Sequence, residues 1–88
     1  MRAIQKSKLA TLFDMSDSAL YANARFYKEE LRKLKQKGNK YNYRAVLFLA
    51  YKLGVDLSEV YPGENKEAMV KEQTEIMQML YGNDKSKW

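Results

Sequence analysis

The chain of 88 residues contains no cysteine and no histidine. That removes disulfides, thiol nucleophiles, imidazole acid–base chemistry and nearly every zinc, haem or iron–sulfur site. There is one proline and only four glycines. They fall between periodic apolar segments, so long helices are interrupted rarely. No apolar run approaches the ~18 residues of a membrane span. Residues 1–13 lack the apolar stretch and cleavage site of a signal peptide, so the expectation is a soluble cytoplasmic domain. No Gly-rich phosphate loop and no Ser/His/Asp set is present. The close acidic pairs are Glu29-Glu30, which point apart on a helix, and Asp56/Glu59, which reads as a cap. No enzyme, cofactor, metal or small-molecule substrate is expected.

Hydrophobic residues make up 45% and charged residues 31%, a globular rather than a disordered composition. A chain of this size buries only about 60–65% of its unfolded surface, so a second copy would help a thin core. The net charge is +5 and unevenly spread. Residues 1–40 carry ten Lys/Arg against four Asp/Glu, and residues 41–88 carry six against seven. A basic half beside a slightly acidic one suits a polyanion such as nucleic acid. The plain alternative is a solvated lysine-rich helix.

Periodicity predicts an all-α bundle of four to five helices, with no strand. A short helix covers about 8–13, with Ser7 as N-cap. Asp14-Met15-Ser16 reads as a tight turn, because Asp tolerates positive φ and Ser16 is a good N-cap. Met15 and Leu20 would staple across that cap. A long second helix then runs over 17–37. Its stripe Leu20, Ala24, Tyr27, Leu31, Leu34 steps by four and three, and most of its cations lie off the stripe. At 1.5 Å per residue such a helix would be about 30 Å long. Asn42 caps a helix over 43–53 that is apolar almost all round and stops at Gly54. Asp56-Leu57-Ser58-Glu59 opens a short turn of helix halted by Pro62-Gly63. The last helix, about 65–81, carries Met69, Ile76, Met77 and Leu80 as a candidate homodimer seam, with folding back onto its own core as the alternative and the Leu20–Leu34 stripe as a rival seam. These readings divide the chain into a binding domain at 1–63, an amphipathic helix at 64–82 and a flexible tail at 83–88.

A helix-turn-helix needs a small residue on the first helix, a positive-φ residue four positions on, an apolar plug next, and an apolar contact five further on. Ala10, Asp14, Met15 and Leu20 have that spacing, and so do Ala50, Gly54, Val55 and Val60. A reading helix must offer donors to base edges and phosphates. The second candidate is stopped by Pro62 and carries Asp56 and Glu59, which phosphate repels. The first carries Arg25 and Lys28, so it is the expected reader.

With these residues in hand, KLATLFDMSDSALYANA resembles the paired helices of the lambda-repressor/Cro-like helix-turn-helix DNA-binding regulators of phage or plasmid type, in divergent form. NYRAVLFLAYKLGVDLSEVYP resembles the two support helices that follow. The likeness covers about residues 7–62. It implies a homodimer on a short two-fold operator in double-stranded DNA. Residues assigned to base edges are Ser18, Tyr21, Ala22, Asn23 and Arg25, where Arg chelates guanine, Asn reads adenine and Ala meets a thymine methyl. Lys6, Ser7, Lys8, Lys28, Lys40, Tyr41 and Arg44 are assigned to phosphates. The rival expectation keeps the fold but binds protein, as a phage-type inhibitor, antirepressor or packaging and assembly component.

Overall fold

A computed structural model describes residues 2–88. The order is β1 (Ile4–Gln5), α1 (Lys6–Leu12), α2 (Asp17–Phe26), α3 (Lys28–Lys33), β2 (Lys40–Tyr41), α4 (Tyr43–Leu53), α5 (Leu57–Val60) and α6 (Lys66–Tyr81). The chain is mostly helical, and its helix starts follow cap chemistry. Ser16 Oγ accepts from Ala19 N, Asn42 Oδ1 from Ala45 N, Asp56 Oδ1 from Ser58 N, and Asn65 Oδ1 from Ala68 N. The exceptions are α3, which continues from the bend at Tyr27, and α1. α1 starts at Lys6 rather than after Ser7, because the Lys6 amide donates to Asn39 O (3.1 Å) and needs no hydroxyl cap.

The expectation of no strand is corrected by a two-residue antiparallel pair that joins Ile4 to Tyr41 and Gln5 to Lys40. The single long helix over 17–37 is also corrected. The helical path breaks at Tyr27 (φ −103°, ψ 27°), and α3 ends at Lys33, capped by Leu34. No Pro or Gly sits at the break. The Tyr27 ring instead packs edge-on to Phe48 at 5.4 Å, and the bend keeps Leu31 and Leu34 on the core. A straight rod of about 30 Å would run nearly the full length of a molecule measuring 33 × 29 × 21 Å and carry its far leucines off the core. Lys35 closes α3 in the left-handed conformation (φ 62°), with Gln36 N donating to Leu31 O and Lys35 N to Arg32 O. That is a Schellman ending with lysine where glycine is usual.

α4 is the centre. Ala45 through Ala50 are all buried, as an all-round apolar helix requires. α6 lies against it, and Gln73, a buried polar side chain, donates from Nε2 to Leu47 O at 2.8 Å. Met69, Ile76 and Met77 lie in this same core, none more than 2% exposed, so they are not a seam for a second copy. Their stripe has found its partner inside the chain. Leu80 is half-buried at the end of that stripe. The tail is also held. Lys85–Lys87 form a 3-10 turn, Trp88 packs on the core, and Lys52 Nζ donates to the carbonyls of Lys87 and Trp88. Lys52 lies over the rings of Tyr81 (4.6 Å) and Tyr27 (5.5 Å), and burial pushes its pKa down against the opposing pull of Glu30.

Candidate nucleic-acid interface

The α1–α2 junction is fixed by backbone chemistry. Asp14 takes the left-handed conformation (φ 57°). Its amide donates to Thr11 O, and the Met15 amide donates to Ala10 O, both at 3.0 Å. Ser16 then caps α2. Ala10 and Leu20 meet at the helix crossing, 1% and 2% exposed, with Met15 half-buried between the helices. The α4–α5 junction repeats this arrangement forty residues later. Gly54 is left-handed (φ 70°), and the Val55 amide donates to Ala50 O at 2.9 Å.

The two units differ in what they expose. On α2, Ser18, Tyr21, Ala22 and Arg25 all point outward, with Tyr21 58% exposed. The Arg25 guanidinium sits 5.9 Å from the Tyr21 ring, and no carboxylate lies within ion-pair reach of it among the described residues. The second unit is acidic. Hydrogen bonds from the Ser58 hydroxyl and amide, and the Lys66 ammonium at 3.1 Å, hold the Asp56 carboxyl down to about 2.

Asn23 does not join the outward face. Its Nδ2 donates to Ala19 O at 2.9 Å, the back-bond to the preceding turn that Asn makes inside helices. Among the phosphate candidates, Lys6, Ser7, Lys8, Lys28 and Lys40 are exposed. Tyr41 is not: pairing of β2 with β1 turns it inward, and it is 3% exposed beneath the Lys6 ammonium, 5.9 Å from its ring. Arg44 is exposed but lies apart, on the α4–α6 side, 3.9 Å from a Glu72 oxygen. Lys6, Asp17, Leu20, Tyr21 and Tyr41 enclose a small hollow beside the α2 face, so the start of α1 and the outward face of α2 form one surface. Sequence reasoning passed over Gln36, whose side chain ties the turn before β2. No periodicity or motif marks it.

Comparison with family models, with curated proteins and with solved structures finds no match to this chain.

Proposed function

We propose that this chain is a small transcriptional regulator that binds double-stranded DNA sequence-specifically, its α1–turn–α2 unit acting as a helix-turn-helix that reads the major groove with the outward face of α2. The observation that carries this reading is the outward face of α2. Ser18, Tyr21, Ala22 and Arg25 have no protein covering them, and Arg25 has no carboxylate partner among the described residues. An unpaired arginine beside an exposed aromatic, on a helix anchored from behind by Leu20, has the donors that base edges accept. Lys6, Lys8, Lys28 and Lys40 supply charge for backbone contacts around it. Two copies on a two-fold site would double the contact. The buried α6 stripe does not provide that seam.

The test is binding to a selected duplex and to mixed-sequence duplex across a salt series. Arg25→Ala should weaken the selected site by about 1–3 kcal/mol and relax its sequence preference, with thermal unfolding unchanged. No binding to any duplex at low salt sinks the proposal.

One observation favours a second reading, a protein-interaction module on the same fold. Phe26 is 79% exposed at the end of α2, beside a groove of about 510 Å³ that Tyr27, Leu80 and Tyr81 line. Loss of a protein partner on Phe26→Ser, with duplex binding absent throughout, would select it.

A further inference from the structure

A cleft of about 230 Å³ opens between α3 and the turn that leads into β2. Its walls carry Lys6, Lys28, Arg32 and Lys37, with the turn at Gly38 on its lip. Ala24, Leu31 and Tyr41 form an apolar floor, and no carboxylate lines it. We propose that this cleft seats a phosphodiester of duplex DNA, gripped by these four cations, beside the bases that α2 reads. The inference rests on the DNA-binding reading. It goes beyond that reading by adding Arg32 and Lys37, and by giving the backbone one defined seat.

Internal stability accounts for Arg32, in the last turn of α3 and paired with Glu29, but not for the other cations. Lys28 and Arg32 stand four apart on α3, a like-charge spacing that destabilises a helix. Lys6 opens α1, where the helix dipole disfavours a cation and no acidic residue occupies the first turn. Of the four, only Arg32 has a carboxylate partner among the described residues. Glu29 Oε1 meets its Nη2 at 2.5 Å, which leaves other guanidinium N–H groups free. Converging cations repel until a counter-charge enters among them. A volume of this size holds a phosphate group with a few waters, at roughly 30 Å³ of liquid per water.

The walls are braced before any ligand arrives. Gln36 Nε2 donates to Lys40 O and Gln36 Oε1 accepts from Asn42 N, each at 2.7 Å. Asn42 Nδ2 donates to Leu34 O at 3.0 Å, and the Lys6 amide to Asn39 O. Lys6 and Tyr41 also line the hollow beside Tyr21, so cleft and reading face are neighbours. A duplex facing α2 brings a backbone strand over the cleft.

Fluorescence anisotropy with a labelled mixed-sequence duplex, from 50 to 200 mM salt, tests this on the unaltered chain, Lys37→Ala, Arg32→Ala/Lys37→Ala and a Lys71→Ala control on α6. Both cleft side chains are exposed, so the variants should keep the parent's thermal unfolding. Loss of one phosphate contact lowers the log–log salt slope by about 0.9. The cleft seats one phosphate, so the double variant's slope should fall by up to about 0.9. Over this fourfold salt range the parent then loses up to about 3.5-fold more affinity than the double variant. Lys37→Ala alone should lower the slope by less than the double variant does, without freeing the Glu29 carboxylate. Lys71→Ala should match the parent. If the parent binds duplex and the double variant keeps its slope and affinity, the cleft is no phosphate seat, and the α2 reading stands. If the parent binds no duplex, the DNA reading falls and the cleft proposal falls with it.

Discussion

α1, α3 and α4 each end in a left-handed residue, and the residues differ: Asp14, Lys35 and Gly54. This gives an internal test of the backbone. A Cβ in the left-handed region costs about 1–2 kcal/mol, whereas glycine loses about 0.5–1 kcal/mol of unfolded-chain freedom. Lys35→Gly should therefore stabilise the domain by about 0.5–1 kcal/mol. Gly54→Ala should destabilise it by about the same amount. No atom lies within 4 Å of the position an alanine Cβ would take there, so the effect is conformational alone. Asp14→Gly should change little, since Asp visits this region readily. For a domain of this size 1 kcal/mol moves Tm by about 4–8 °C. Lys35→Gly should then raise Tm by about 2–8 °C and Gly54→Ala lower it by a similar amount. Far-UV circular dichroism melts, paired with urea titrations whose m-values stay constant, would measure both. If Lys35→Gly instead destabilises by about 1 kcal/mol, the figure for glycine inside a helix, then the helix runs unbroken past Lys35. The Schellman ending of α3 and the cleft beyond it would then be wrong.

Gln73→Ala should cost about 1–3 kcal/mol in urea unfolding, through the lost bond to Leu47 O and the void left behind; Gln73→Leu should recover most of it, because Leu47 O stays in the hydrogen-bond ladder of α4. The Asp56 carboxyl titrates near 2 in the folded chain, below its unfolded value of about 4. Its contribution is complete above about pH 4 and is lost as pH falls toward 2, so Asp56→Asn, which cannot titrate, should flatten that part of the acid unfolding curve.

Local signals in the sequence located the helices, and non-local contacts decided what it could not give. Ser16, Asn42 and Asp56 cap where their side-chain chemistry says, since a cap needs only its own next turn. The Asp14 turn is legible for the same reason. The break at Tyr27 is not, because it is set by the ring of Phe48, twenty-one positions on. The strand pair across Ile4–Gln5 and Lys40–Tyr41 is too short to carry a period, and it is what buries Tyr41. The stripe on α6 was plain in the sequence, but amphipathicity reports only that a face will be covered. Here α4 covers it, within the same chain. At the candidate site the outward face of α2 was readable from helical spacing, except at Asn23, whose amide found a carbonyl of its own helix.

The repeated junction bears on which helix meets a partner. Ala10 through Leu20 and Ala50 through Val60 share a small crossing residue, a left-handed turn and an apolar return, so backbone geometry alone does not separate them. Burial and charge do. α4 is sealed over Ala45–Ala50, α5 lasts four residues, and its cap is a carboxylate bridged to Lys66. α5 and its cap carry Asp56 and Glu59 and no Lys or Arg. On α2 only Leu20 is buried, Ala19, Asn23 and Ala24 are half-buried, and the other positions are exposed. Beside it stand Lys6 and Lys28, neither in an ion pair among the described residues. The second unit builds the core that holds the first in place. Charge reversal on that supporting unit, for example Glu59→Lys, should therefore leave duplex affinity nearly unchanged, while loss of a single cation on the first unit should not.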